Sequence, residues 1–297
     1  MPFTPILHSV SYAGFWPGQA RLTLEDFIAK AAELGFPAVE LMAKRPHLSV
    51  LDFEDPDRAK RLRDLLRAKG VEAKVIAGYT NFSSDSEHAE IPQREMQIAH
   101  VTSLARVASL IGAPMVRIFT AYEHPAVGYS QLWHNTVEAI RECSRRAADF
   151  GVTIGVQNHH DLGAHHDTLH DLLEAIGEPN CKAMFDAWSP ALQGQDLEAA
   201  ARKLAPYTCH TTIADYQRRP RFHYQPNVVN FAEQTAWSQA VPMGEGFIDY
   251  RAFLGALRAG GFEGTVAYEM CSPLLGGGSI ANLDRYARQF LAWLAGI

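Results

Sequence analysis

The chain has 297 residues, 47% of them apolar, and a formal net charge of −6. That much apolar sequence can bury a sizeable core, whereas the acidic balance offers no electrostatic footprint for nucleic acid or an anionic membrane surface. No run approaches the roughly 20 apolar residues of a membrane span, and the first residues lack the pattern of a secretory signal. Because the four cysteines are scattered without a CxxC pair, we expect a cytoplasmic protein with reduced thiols.

Short β-like runs alternate with longer helical patterns along the chain. Eight strands are predicted, at residues 6–13, 38–43, 72–79, 115–122, 152–160, 181–188, 208–216 and 265–272. No GxGxxG turn follows the first strand, so the alternation favours a closed barrel over a doubly wound sheet. We therefore predict an α/β fold with one domain over residues 1–297, a single (β/α)8 TIM barrel with a long loop after strand 7.

Capping residues predict where several of the helices begin and end. Thr23 opens one helix that stops at Gly35, and Asp55, followed by a proline, opens another that closes at Gly70. The last predicted helix, residues 279–295, carries an apolar stripe at helical spacing. We expect this stripe to pack against the barrel.

The connection after the seventh strand is irregular. From about Gln217 to Ile248 it is aromatic, rich in arginine and interrupted by proline and glycine. A loop of this length inside a compact domain is commonly functional, so we predict a lid or binding loop over the active face. Arg218 in this loop is a predicted substrate-binding residue, with simple solvent exposure as the alternative. The aromatic residues are equally compatible with a subunit contact, which would make the protein a homo-oligomer.

Four of the later strands each carry one side chain that can bind a metal ion, at or near the strand end. These side chains are Gln157, Asp186, His210 and Glu269. Residues at the C-terminal ends of barrel strands converge on one face, and oxygen and imidazole groups are common ligands of divalent ions. The pattern predicts a site for one divalent ion, which could be Mn, Mg, Co or Zn.

Glu269 is the strongest of these candidates. It lies in an apolar strand, where an unpaired charge would shift its pKa or destabilise the fold. We predict that it is both a metal ligand and the general base. The alternative for Asp186 is an ordinary helix N-cap. Glu40 raises the same burial argument on the second strand, and we predict that it lines the substrate pocket.

His210 on its own would be interpreted as a satisfied core histidine. Its position between the strands of Asp186 and Glu269 favours the ligand interpretation. Gln157 begins the cluster QNHHD; its amide oxygen can coordinate a cation but cannot act as a base. Within that cluster His160 and Asp161 are predicted to carry a second proton, with a polar surface loop as the alternative. His8 on the first strand and Arg117 on the fourth are predicted to bind substrate oxygens.

The four strand ends resemble the xylose isomerase-like TIM barrels of the sugar phosphate isomerase/epimerase superfamily. The resemblance covers nearly the whole chain, and its most specific segments are QNHHD, FDAW, HTTIADY with MGEGFIDY, and VAYEMCSPL. It implies a single divalent cation held by glutamate, aspartate, histidine and glutamate from the later strands. These correspond here to Gln157, Asp186, His210 and Glu269.

Two departures from that family pattern change the predicted chemistry. In the epimerase branch the first and last metal-binding glutamates also carry the two opposing protons, and Gln157 cannot do so. Epimerases also have a histidine three residues after the metal-binding aspartate, where this chain has Ser189. Both departures favour chemistry with one carboxylate base.

We therefore predict a divalent-metal-dependent isomerase-type enzyme that acts on a small sugar, sugar acid or polyol. The alternatives are a lyase or dehydratase, or an enzyme that cleaves 3-keto-glycosides, on the same scaffold. An endonuclease IV-like repair enzyme is disfavoured by the acidic charge. A sugar-binding barrel without catalysis is the remaining alternative.

Overall fold

Eight parallel strands close into a barrel in the computed structural model, which describes residues 3–83 and 90–297. The barrel strands are β1 (Thr4–His8), β2 (Ala38–Met42), β3 (Glu72–Ala77), β4 (Met115–Ile118), β5 (Thr153–Gln157), β6 (Cys181–Met184), β7 (Thr208–Ile213) and β10 (Thr265–Tyr268). Strands β1 to β7 follow one another around the barrel, and β10 closes it between β7 and β1. The predicted (β/α)8 barrel is confirmed. Every observed barrel strand ends before its predicted last residue, because the chain turns there into the loops above the barrel.

Helices surround the barrel and follow its strands. They are α1 (Leu24–Leu34), α2 (Val50–Phe53), α3 (Pro56–Lys69), α4 (Gln93–Ile111), α5 (Tyr129–Ala148), α6 (His166–Ile176), α7 (Trp188–Leu192), α8 (Leu197–Leu204), α9 (Tyr250–Ala259) and α10 (Ile280–Leu294). The side chain of Thr23 accepts a hydrogen bond from the backbone N–H of Asp26 at 3.1 Å, and Gly35 ends α1 with a φ of 88°. In the described part of the chain, no helix has the length and apolarity needed to cross a membrane.

The main core lies between the outer face of the barrel and the helices. The predicted apolar stripe of α10 is buried there: Phe290 stacks on Phe36 with ring centroids 6.0 Å apart and on Tyr268 at 4.8 Å. At the lower end of the barrel interior, Ile6, Ala38 and Ala267 form a small separate cluster. The residues above this apolar layer are polar, and they build the site described below.

The connection after β7 is a two-stranded antiparallel hairpin rather than an irregular loop. Its strands are β8 (Asp215–Gln225) and β9 (Asn230–Val241). The irregular loop was predicted from the aromatic, arginine-rich composition of residues 217–248 and from the proline and glycine that interrupt it. Pro220 is tolerated in β8 because ladder pairing is interrupted there, where the register shifts between Arg219 and Arg221. The hairpin exposes large apolar side chains, including Phe222, Tyr224, Phe231 and Trp237.

Asp215 anchors the base of this hairpin. Its Oδ2 accepts hydrogen bonds from the backbone N–H of Gly244 at 3.0 Å and of Gly246 at 2.8 Å. A Cβ added to Gly246 would overlap the Asp215 carboxylate and lie 2.5 Å from the carbonyl oxygen of Tyr216. The chain can therefore approach Asp215 closely only because residue 246 is glycine.

We expect Gly246→Ala to destabilise the protein by about 2 kcal/mol through this steric overlap. Urea unfolding of the variant measures the effect. Gly255→Ala is the matched control, because a Cβ at this position in α9 would have nothing within 4 Å and alanine favours the helix. Equal unfolding midpoints for the two variants would show that the contact with Asp215 has no energetic importance.

Candidate active site

A cavity of about 540 Å³ lies at the C-terminal ends of the barrel strands. In a (β/α)8 barrel this is the face on which active sites are built. Its lining residues are Val10, Phe15, Lys44, Tyr79, Thr80, Asn81, Gln97, Arg117, Phe119, Tyr122, Gln157, His159, His160, Asp186, Trp188, Thr212, Ile213, Ala214, Tyr216, Glu269 and Cys271. They include five of the residues predicted for the site: Arg117, Gln157, His160, Asp186 and Glu269.

Arg117, Gln157 and Asp186 form a connected chain of hydrogen bonds across the floor of the cavity. Arg117 is only 2% exposed, and its Nη1 donates to Gln157 Oε1 at 2.6 Å. The amide nitrogen of Gln157 donates to Asp186 Oδ2. Since a guanidinium can only donate and a carboxylate can only accept, these two neighbours together determine the orientation of the Gln157 amide.

Asp186 is held by the backbone as well as by Gln157. Its Oδ1 accepts from the N–H of Thr212 at 2.7 Å, and its own N–H donates to Asn158 Oδ1 at 2.7 Å. Burial raises the pKa of Asp186 to about 7, although the hydrogen bonds from Gln157 and Thr212 act in the opposite direction. The alternative prediction of a simple helix N-cap does not describe these contacts, which join β5, β6 and β7.

Glu269 follows β10 and presents its carboxylate to the cavity, with 18% of the side chain exposed. Burial raises its pKa to about 7, and the positive charge of Arg117 partly opposes that rise. One carboxylate oxygen, Oε1, lies 3.7 Å from His8 Nε2. The geometry gives Glu269 access to a bound molecule while it remains largely shielded from water.

A second polar layer lies beneath the cavity, and it contains three of the predicted site residues. Glu40 accepts from or pairs with histidines on both sides: its Oε2 is 3.2 Å from His210 Nε2, and its Oε1 is 3.6 Å from His8 Nε2. The other ring nitrogen of His210 lies 2.6 Å from Thr265 Oγ1. All three side chains are fully buried, and none of them lines the cavity.

The charges in this lower layer follow from burial and pairing. Burial lowers the pKa of His8 to about 3, so its ring is neutral. Burial alone would raise the pKa of Glu40, but His8, His210 and Arg117 hold it at about 2. Glu40 is thus an ionised carboxylate inside the barrel, with a hydrogen bond to His210 at Oε2 and a longer contact with His8 at Oε1.

On β7, Thr212 and not the predicted His210 faces the cavity. Alternate residues of a strand share a face, so Thr212 points the same way as His210 but one layer closer to the opening. It lines the cavity, whereas both ring nitrogens of His210 are occupied below. Counting two residues along the strand from His210 would have identified Thr212.

The two remaining predicted catalytic residues are in different surroundings. His160 lines the cavity, and its ring stacks on that of Tyr122 at 3.9 Å. Burial lowers its pKa to about 3, so the ring is neutral. Asp161 is exposed and accepts a hydrogen bond from the backbone N–H of Glu123 at 2.9 Å. This contact ties two loops together, and the structure does not bring Asp161 to the cavity.

Arg218 also lies away from the cavity. It is exposed on β8, its Nη2 donates to the carbonyl oxygen of Ala191 at 3.4 Å, and its guanidinium lies 4.6 Å from the ring centre of Phe247. These contacts place Arg218 on the surface of the hairpin, and it is not among the residues that line the cavity.

Several cavity residues were missed in the sequence. Lys44 and Tyr79 follow β2 and β3, and the Lys44 ammonium lies 3.9 Å from the centre of the Tyr79 ring. Burial lowers the pKa of Lys44. Tyr122 follows β4. Each of these residues lies directly after a barrel strand, where the active-site residues of a (β/α)8 barrel are expected. That position could have identified them from the sequence.

The predicted four-ligand metal site is not assembled by these side chains. Gln157 already contacts a cation, Arg117, and donates its amide hydrogen to Asp186. His210 is engaged below the cavity. The contacts around Gln157 therefore do not fit a resident divalent ion.

Within residues 3–83 and 90–297, one group of three metal-competent side chains lies in mutual reach, and it is outside the cavity. It comprises His165, His166 and Asp167 at the start of α6. Asp167 is also paired with Lys203, whose Nζ lies 2.6 Å from Oδ1. This exposed cluster already has a cationic partner.

The protein is a (β/α)8 barrel with a polar cavity and buried carboxylates at the C-terminal ends of its strands, which is where this fold builds active sites. The chain belongs to the xylose isomerase-like TIM barrel family, whose profile matches residues 28–297. Among curated proteins, it is similar to fructoselysine 3-epimerase of Escherichia coli O157:H7, with 22% identity over 287 residues that span 93% of this chain and 94% of the relative.

Solved structures share the fold over the whole chain. The crystal structure of a probable 3-DHS dehydratase involved in petrobactin synthesis in Bacillus anthracis has a TM-score of 0.72 and 20% identity, and covers 98% of this chain and 99% of its own. D-psicose 3-epimerase of Clostridium cellulolyticum H10, crystallised with D-tagatose, has a TM-score of 0.72 and 18% identity, with 98% of each chain covered.

Proposed function

We propose that this protein is an isomerase-type enzyme that moves a proton on a carbon next to a carbonyl group of a small polyhydroxylated compound. The observation that carries the proposal is the placement of Glu269, a buried carboxylate that faces the cavity. A carboxylate held in this way can act as a general base on a carbon-bound proton. The family and its epimerase relative support this class of reaction.

The cavity has the size and composition for a sugar or sugar acid. Its volume of about 540 Å³ lies within the range of small-molecule sites. Phe119, Trp188 and Tyr216 supply aromatic walls, against which the C–H faces of a sugar can pack. Lys44, Arg117 and Asn81 add polar groups that can bind its oxygens.

The second proton carrier in this proposal is His160. The Nδ1 atom of its ring is buried without a hydrogen-bond partner among the residues that the structure describes. A neutral imidazole can accept a proton at one nitrogen and donate one from the other. We therefore assign to His160 the transfer of hydroxyl protons, and to Glu269 the transfer of the carbon-bound proton. Asp161, which was the other predicted carrier, has no part in this proposal because it lies outside the cavity.

A dehydratase is the second candidate, and the dehydratase among the structural neighbours favours it. Removal of the same carbon-bound proton by Glu269 could be followed by loss of a hydroxyl group from the next carbon. This lyase reaction needs one carboxylate base, as does the isomerisation. Cleavage of a 3-keto-glycoside would begin with the same proton abstraction.

The divalent ion predicted from the sequence is not included in the proposal, because the hydrogen bonds of Gln157 to Arg117 and Asp186 do not fit a metal ligand. The prediction of a homo-oligomer also stays a prediction. Its motivation is the set of exposed aromatic side chains on the hairpin.

Incubation with a panel of ketoses, inososes, 3-keto-glycosides and dehydroshikimate in D₂O tests the function. We expect one deuterium to enter a substrate at the carbon next to its carbonyl, because the proton on Glu269 exchanges with solvent before it returns. Mass spectrometry separates the two candidates, since isomerisation changes the mass only by the deuterium that enters, whereas dehydration also loses water. If no compound in the panel exchanges, isomerises or loses water, the proposal fails.

A further inference from the structure

We infer that Arg117 supplies the cation that stabilises the reacting oxygen in this active site and that the reaction needs no divalent ion. In this inference, which rests on the proposed function, the guanidinium binds the carbonyl oxygen of the substrate and the enolate oxygen that forms from it. The sequence resemblance assigns the corresponding task to a metal ion. Three features of this site support the guanidinium of Arg117 in that task.

The first feature is the way Arg117 is held. The side chain is 2% exposed and still lines the cavity. Its guanidinium carbon lies 4.3 Å from the ring centre of Phe119 and 5.0 Å from that of Tyr79, and Nη2 donates to the carbonyl oxygen of Gly78 at 3.4 Å. The buried Nε has no hydrogen-bond partner in the described part of the chain. A buried guanidinium N–H without a protein acceptor is uncommon, and it marks Arg117 as a group whose hydrogen-bonding capacity the described residues do not fully use.

The second feature is the amide at position 157. In a metal site, neighbouring carboxylates can lie close together because the ion between them neutralises their repulsion. Here Gln157 donates directly to Asp186 and accepts from Arg117. The amide satisfies both neighbours without an ion between them. A glutamate at this position would place a second carboxylate against Asp186, and that arrangement would require an added cation.

The third feature is Thr212. It occupies the cavity-facing position on β7, while the imidazole of His210 is used beneath it by Glu40 and Thr265. The strand therefore supplies no imidazole nitrogen to the cavity. Asp186 and Glu269 remain as carboxylates at the cavity, and among the described residues no third histidine, cysteine or carboxylate lies close enough to complete a ligand set with them. A site for one catalytic ion commonly uses at least three protein ligands.

The proton and electron balance of an aldose–ketose shift is met without a metal ion. Glu269 takes the proton from the hydroxyl-bearing carbon, the C–H electron pair forms the C=C bond, and the carbonyl π pair moves onto oxygen beside Arg117. Glu269 then returns the proton to the former carbonyl carbon. His160 transfers the hydroxyl proton from one oxygen to the other. No oxidant, reductant or other reactant is consumed.

Two measurements on the wild-type protein test the inference. The first is calorimetric titration with Mn²⁺, Mg²⁺, Co²⁺ and Zn²⁺, which does not depend on activity; we expect no stoichiometric binding at the cavity. The second is deuterium exchange into the substrate before and after treatment with a chelator, and we expect equal rates. Binding of one ion per chain, with exchange lost on chelation and restored by that ion, would overturn the inference.

Variants of Arg117 provide a third measurement. We expect Arg117→Met to lower deuterium exchange by about 10²–10³-fold, as loss of a donor to a developing oxyanion does. Arg117→Lys keeps the charge but not the planar fork, so we expect an intermediate rate. Arg63→Met is the control, because Arg63 is a half-buried arginine on α3 outside the cavity. An unchanged rate in Arg117→Met would contradict the assignment.

A gain of metal binding in a double variant would complete the test and remains informative if Arg117→Met is poorly folded. Arg117→Ala combined with Gln157→Glu removes the cation and adds a third carboxylate. We expect this variant to bind one Mn²⁺ that the wild type does not bind, as measured by calorimetry. Failure of the wild type to act on any compound would refute the proposed function, whereas the metal titrations would still decide whether the site takes an ion.

Discussion

Replacement of Glu269 by glutamine is expected to lower deuterium exchange into the substrate by about 10²–10⁴-fold, the range for loss of a positioned general base. The amide has nearly the shape of the carboxylate but cannot accept the carbon-bound proton. The surroundings of the side chain, including His8 Nε2 at 3.7 Å from Oε1, would remain in place. The rate is measured by mass spectrometry of the substrate after incubation in D₂O.

Glu263→Gln is the matched control for this experiment. Glu263 is exposed in the turn before β10, at the end of the barrel away from the cavity, so exchange should equal that of the wild type. Circular dichroism and the unfolding midpoint would show that Glu269→Gln is folded. A folded Glu269→Gln protein that exchanges at the wild-type rate would require a different base.

The fold could be predicted because its causes are local and repeated. Each barrel strand is a short apolar run, and the helices between them carry their own start and stop residues, such as Thr23 and Gly35. The hairpin after β7 could not be predicted in the same way. Its strands are stabilised by pairing with each other across the turn, and Pro220 interrupts the pattern at a register shift.

The candidate site was predicted in part, for a physical reason. Sequence position shows which strand end a side chain occupies, and this was enough to place Asp186 and Glu269 at the cavity. Depth within the barrel depends on the stagger of neighbouring strands. His210 is paired in register with Thr265, and this stagger sets it below the cavity, with Thr212 above it.

The same distinction explains why Gln157 could be named but not interpreted from sequence. An amide is compatible with a metal ligand, a substrate contact or a structural bridge. Its role depends on the donor and the acceptor at its two ends, which come from β4 and the segment after β6. Those partners are 40 and 29 residues away along the chain, so local sequence carries no signal for the bridge.

Replacement of Glu40 by alanine is expected to destabilise the protein by about 3 kcal/mol, because it removes one partner from a buried charged network. The side chain is fully buried, and its two oxygens lie 3.2 Å from His210 Nε2 and 3.6 Å from His8 Nε2. Loss of the carboxylate removes the hydrogen-bond partner of His210 Nε2 and the charge beside His8, and it opens a cavity in the barrel interior. Chemical unfolding measures the change in the free energy of unfolding.

A double-mutant cycle separates the network from simple loss of volume. Glu40→Met combined with His210→Leu replaces both partners by apolar groups, and we expect it to be less destabilising than the sum of the two single changes. Glu33→Ala, which removes an exposed carboxylate paired with Lys30 at 2.8 Å, should have little effect because solvent screens that pair. Strict additivity in the cycle would mean that Glu40 and His210 are not coupled, and that the layer beneath the cavity does not support it through charge pairing.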